Sequence, residues 1–108
     1  MQSKIKLQIF GMPIAACDEN KTWRAASNMV FRKITDKFGS IVECEYIELY
    51  SPESFSHSEV MKLLKENNEK PPYIFINNEL VKSNGKLSER VIITEIEKVF
   101  LINTKGNT

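Results

Sequence analysis

The sequence predicts an α/β fold: a four-stranded mixed sheet in the order β-α-β-α-β-β-α, with helices on both faces. Three observations carry this. Segments of period two and of helical period alternate along the chain. Pro and Gly fall between them, where they end elements. Two apolar runs late in the chain are separated by only Asn77-Asn78, a hairpin spacing. The opening β-α-β unit implies two parallel strands joined by a right-handed crossover, and the hairpin adds two strands antiparallel to each other.

Ile5, Leu7 and Ile9 alternate with Lys4, Lys6 and Gln8, the pattern of a half-buried first strand that stops at Gly11-Met12-Pro13. Asp18 or Asn20 is positioned to cap a helix carrying Trp23, Ala26, Val30, Ile34 and Phe38 on one stripe, with Gly39 as its stop. Residues 41–50, IVECEYIELY, have the β-propensity of a second strand. Past Ser51-Pro52, Ser56 and Glu59 read as a capping box with Phe55 and Val60 as its staple, opening a short helix with Val60, Leu63 and Leu64 inward. Pro71-Pro72 bars its continuation, and Tyr73–Ile76 forms the third strand. Leu80-Val81 begins a short fourth strand, interrupted by Ser83-Asn84-Gly85. Ser88 caps a last helix striped with Ile92, Ile93, Ile96, Val99 and Phe100. The expected domain is 1–103, followed by a polar tail at 104–108.

With 108 residues, 42% apolar and 27% charged, the chain has the size and balance of one soluble domain. It has neither an 18-residue apolar run nor a signal-peptide pattern at its start, so a cytoplasmic location is expected and a membrane role is not. Net charge is +1, but residues 1–39 carry seven bases against three acids and residues 40–70 three against seven. Such asymmetry fits either the solvated faces of different elements or a protein partner chosen electrostatically. Clustered bases with interleaved aromatics, the mark of nucleic-acid binding, are absent. One His and two distant Cys do not make a metal-ligand grouping, and no cofactor fingerprint is present.

The element order resembles the thioredoxin-like superfamily in its glutaredoxin-sized form. The residues that carry the likeness are Phe10-Gly11 with a cysteine shortly after, Pro72 directly before an apolar strand, and Gly-Lys-Leu-Ser at 85–88 before the last helix. YIELYSPE (46–53), PYIFINNELV (72–81) and TEIEK (94–98) resemble small Firmicute proteins described as disulfide oxidoreductases. The likeness implies a cis bond at Pro72 and a thiol site at Cys17, with a substrate groove formed by Met12, Pro13, Ile14, Trp23, Pro71 and Pro72.

The chain departs from that family at the site. Both windows around Cys17, IAAC and CDEN, lack a second cysteine, so the pattern is monothiol at most and its register stays open. A helix N-terminus lowers a thiol pKa, while Asp18 and Glu19 raise it and Lys21 and Arg24 partly offset them. Pro71 has no N–H to offer a peptide substrate. Trp23 either packs in the core or covers the thiol. Cys44 reads as a packed core thiol and His57 as an exposed residue of the capping box. The expected activity is thiol–disulfide exchange with a protein or small-thiol partner and no cofactor; the alternative is a catalytically inactive binding module.

Overall fold

The computed structural model describes residues 5–13, 22–66, 70–83 and 87–106. Strand β1 (Ile5–Gly11) leads to helix α1 (Trp23–Phe38), β2 (Val42–Glu48), α2 (Ser58–Glu66), β3 (Tyr73–Ile76), β4 (Glu79–Lys82) and α3 (Glu89–Gly106). The sheet order is β2-β1-β3-β4. β1 and β2 are parallel over seven residue pairs, from Ile5 with Val42 to Gly11 with Glu48. β3 runs antiparallel to both β1 and β4. This is the α/β mixed sheet that the sequence predicts.

Alternation along the central strands divides the core in two. Ile5, Leu7 and Ile9 of β1 and Ile74 and Ile76 of β3 join Val30 and Ile34 of α1 and Ile92 and Ile96 of α3. Phe10, Tyr73 and Phe75 point the other way and meet Val60 of α2, with Met61, Leu63 and Leu64 packed around them. α1 and α3 therefore share one face and α2 covers the other. The α1–α3 seam is closed by Phe38 stacked on Phe100, ring centroids 5.4 Å apart.

Several termini follow the sequence signals. Asn77 and Asn78 take φ of 51° and 69°, the left-handed pair that a two-residue hairpin requires. Asn77 also binds β1, its Oδ1 accepting from the Lys6 N–H at 2.9 Å and its own N–H donating to the Lys6 carbonyl at 2.9 Å. Gly39 ends α1 at φ 68°. The Ser88 hydroxyl accepts from the Val91 N–H at 3.4 Å, at the start of α3.

Others correct them. Asp18 and Asn20, the expected caps of α1, lie outside the described residues, and the cap is Thr22, whose Oγ1 accepts from the Ala25 N–H at 3.0 Å. Within α1 the fully buried positions are Ser27, Val30 and Ile34, while Trp23, Ala26 and Phe38 are partly buried. The capping box at Ser56 and Glu59 does not form. Hydroxyls of Ser51, Ser54 and Ser56 instead donate to the carbonyls of Glu48, Ser51 and Glu53, at 2.6, 2.8 and 2.8 Å. These local bonds compete with a cap and wind Ser54–Ser56 into a 3-10 turn ahead of α2. Phe55 is left 58% exposed and cannot staple the buried Val60. α3 runs on to Gly106, into the segment expected to be a tail, because nothing before that glycine breaks a helix. None of the helices among the described residues is long and apolar enough to cross a membrane.

Candidate functional site

Because β1 and β2 are parallel, both end at one edge of the sheet, and antiparallel β3 begins there. Phe10 pairs with Tyr73, the last pair of that register, so the chain leaves β1 through Gly11–Pro13 and enters β3 through Pro71–Pro72 at the same end of the sheet. The Leu49 N–H donates to the Gly11 carbonyl at 2.9 Å, fixing the exit of β2 against that of β1. The Pro71–Pro72 bond is cis, as the family resemblance implies. Pro72 is buried, Pro71 partly so, and Met12 and Pro13 are exposed. Of the expected site, Met12, Pro13, Pro71 and Pro72 thus lie at one end of the sheet. Ile14 and Cys17 lie outside the described residues, in the segment that links Pro13 to the cap at Thr22.

Trp23, the first residue of α1, comes to the same edge. A Cβ placed on Gly11 would sit 2.7 Å from the Trp23 Cβ and 2.6 Å from the Tyr46 hydroxyl oxygen, so Trp23 and Tyr46 both rest on bare backbone. The Arg24 guanidinium lies 4.9 Å from the centre of the Tyr46 ring, within cation–π range. Burial, reinforced by the Glu48 carboxylate and opposed by Arg24, pushes the Tyr46 hydroxyl up to about 12. It is therefore a neutral hydrogen-bonding group at physiological pH.

Tyr46 and Glu48 were not among the residues expected at this edge, while Gly11 was expected only as the stop of β1 and Arg24 only as a partial offset to the acids beside Cys17. One signal was available: Tyr46 shares strand parity with Val42 and Cys44, which puts it on the α1 face. The closeness of Trp23 to Gly11 depends on where α1 begins, and the misplaced cap hid it.

The remaining candidates lie elsewhere. Cys44 pairs with Leu7 midway along the edge strand β2 and is partly buried against the α1–α3 core. Burial pushes its thiol up to about 11, so it carries almost no thiolate at neutral pH. His57 is not the exposed residue expected. The turn ahead of α2 folds it onto the sheet, edge-on to Phe10 with ring centroids 5.0 Å apart. Among the described residues no group of three His, Cys, Asp or Glu could hold a metal ion.

No family model matches the chain, and no curated protein matches it. Among solved structures, it is similar to the crystal structure of SA0789, a protein of unknown function from Staphylococcus aureus. The TM-score is 0.70 at 15% identity, over 92% of this chain and 94% of that one. At that identity the likeness is one of fold.

Proposed function

We propose that this chain is a thioredoxin-like protein of monothiol type, exchanging disulfides through Cys17. The observation that carries the reading is the topology. A β2-β1-β3-β4 sheet has α1 and α3 on one face and α2 on the other. That is the arrangement which, in the family the sequence resembles, sets a thiol between β1 and α1. Cys17 falls in that connection. Cys44, half-buried and holding its proton, is unsuited to the role.

In the proposed step the Cys17 thiolate attacks one sulfur of a disulfide substrate. The S–S bond breaks, the second sulfur leaves as a thiolate and is protonated by water, and Cys17 is held in a mixed disulfide. A small thiol of the glutathione class, as its thiolate, then attacks the substrate-derived sulfur and releases Cys17 unchanged. One small thiol is consumed and one substrate thiol is freed per turn.

The test is the pH dependence of Cys17 alkylation in a Cys44→Ser background. A thiol pKa at least about one unit below the reference of about 8.5 is expected. A value at or above the reference would overturn catalysis. It would leave the second reading, a binding module at the same edge, which is favoured by one observation: Pro71 offers no N–H beside the groove.

A further inference from the structure

The two outer strands of the sheet differ in how well a further strand could pair with them. β4 is four residues long, and its ladder with β3 shifts register between Ile74 and Phe75. Short, irregular outer strands are poor templates for pairing. β2 is seven residues long and pairs with β1 in one unbroken register. Among the described residues no strand lies beyond it.

Which backbone groups β2 turns outward follows from one hydrogen bond. The Leu49 N–H donates to the Gly11 carbonyl, and in a parallel ladder every second residue turns both its N–H and its C=O to the same neighbour. Glu43, Glu45 and Ile47 share the parity of Leu49 and bond β1. Val42, Cys44 and Tyr46 therefore hold their backbone groups on the outer side, in the spacing that an added strand meets. The row closes at Glu48, whose carbonyl accepts from the Ser51 N–H at 3.3 Å and the Ser51 hydroxyl at 2.6 Å.

Side chains select the guest. Glu43 and Glu45 stand two residues apart on one face of β2, and both are exposed. The buried Gln8 holds the second of them, its Nε2 donating to the Glu45 Oε1 at 2.9 Å. Lys6 lies one strand further in, opposite Glu43, and offsets part of the charge. A second copy of this chain is a poor guest. Antiparallel pairing about Cys44 would set Glu43 against Glu45 of the partner subunit, and pairing centred on either glutamate would set it against itself. Like charges directly opposite one another destabilise a ladder, and opposite charges support it. On the other face Cys44 and Tyr46 are partly buried against the core, so the intervening guest residues suit apolar, β-branched side chains.

We propose that the outer side of β2 takes up an extended, basic segment of another protein as an added strand, with Lys or Arg at alternate positions facing Glu43 and Glu45. The backbone of Val42, Cys44 and Tyr46 supplies the binding, and the two acids select the sequence. The site uses neither Cys17 nor the cis-proline end of the sheet, so it stands apart from the redox reading.

The probe is a peptide alternating Lys with Val, blocked at both ends and matched in length to β2, titrated into the full-length ¹⁵N-labelled chain. Shifts centred on Glu43–Glu48 are expected. Amide exchange at Cys44 and Tyr46, fast in the free chain, should slow on binding, while Glu45 and Ile47, already bonded to β1, change little. Glu43→Lys should weaken binding about two- to fivefold, the effect of turning one cross-strand charge pair. Should that variant fail to fold, N-methylation of the peptide's valines, which removes the guest's own donors, should abolish binding to the unaltered chain. Absence of shifts would overturn the site. Equal binding by the N-methylated peptide, or by one with its lysines in a single block, would overturn strand addition. Equal binding by a Glu–Val peptide would overturn the basic class. A concentration-dependent dimer of the free chain that protects the same two amides would overturn the guest in favour of a second copy.

Discussion

Gly11 shows how closely the site edge is assembled. A methyl group there would stand 2.7 Å from the Cβ of Trp23, at the stiff root of a helical residue, and 2.6 Å from the Tyr46 hydroxyl. The tyrosine can swing away, but the Trp23 Cβ cannot move without α1. Gly11→Ala is therefore expected to cost about 1–3 kcal/mol in urea unfolding and to shift Trp23 fluorescence. Two other residues make stability fall in alkali. Burial raises the Cys44 thiol to about 11 and the Tyr46 hydroxyl to about 12 in the folded chain. The unfolded chain gives up these protons first, so stability is full below the ordinary values of 9.0 and 10.0 and is lost as pH climbs to about 12. The urea midpoint should drop across that window, and should drop less in a Cys44→Ala, Tyr46→Phe variant.

Among the elements, strands were more legible than helix starts. β1 and the Asn77-Asn78 turn were plain because alternation and tolerance of positive φ each allow one placement. The beginnings of α1 and α2 were not, because Asp18, Asn20 and Thr22, or Ser54, Ser56 and Ser58, offer competing oxygens within a few residues. Which of them caps depends on where the chain is pulled by the sheet, and local pattern does not contain that. The assignment to Thr22 is open to direct measurement. Thr22→Ala should lose about 1 kcal/mol, and Thr22→Ser should retain most of the stability. An unchanged Thr22→Ala protein would move the cap elsewhere.

Over the whole molecule, β1 and β3 join the two cores, since each sends alternate side chains to opposite faces. Neither core can melt without loosening the strands that hold the other. Unfolding in urea is expected to be one transition, with helix content and Trp23 fluorescence coincident; an earlier, separate loss of α2 would contradict this. The layers and the parallel β1–β2 pair were readable from the β-α-β unit. Which side of β1 the hairpin would take was not, because that choice rests on contacts between distant residues, from Leu7 with Ile76 to Phe10 with Tyr73, and on Lys6 meeting Asn77 across 71 positions. The candidate site was legible in the same measure: Met12, Pro13, Pro71 and Pro72 came from the family resemblance, while Tyr46 came into view only with the packing.

That long-range meeting also bears on synthesis. β1 is the second strand of the sheet in space and the first to be made, and its partner β3 follows some seventy residues later. At about 5–20 residues per second, β1 waits roughly 4–14 seconds with the edge that β3 will take still bare, even after β2 has been made for the other edge. During this interval the nascent chain presents Ile5, Leu7, Ile9 and Phe10 to solvent, and a holding chaperone would find its binding segment there.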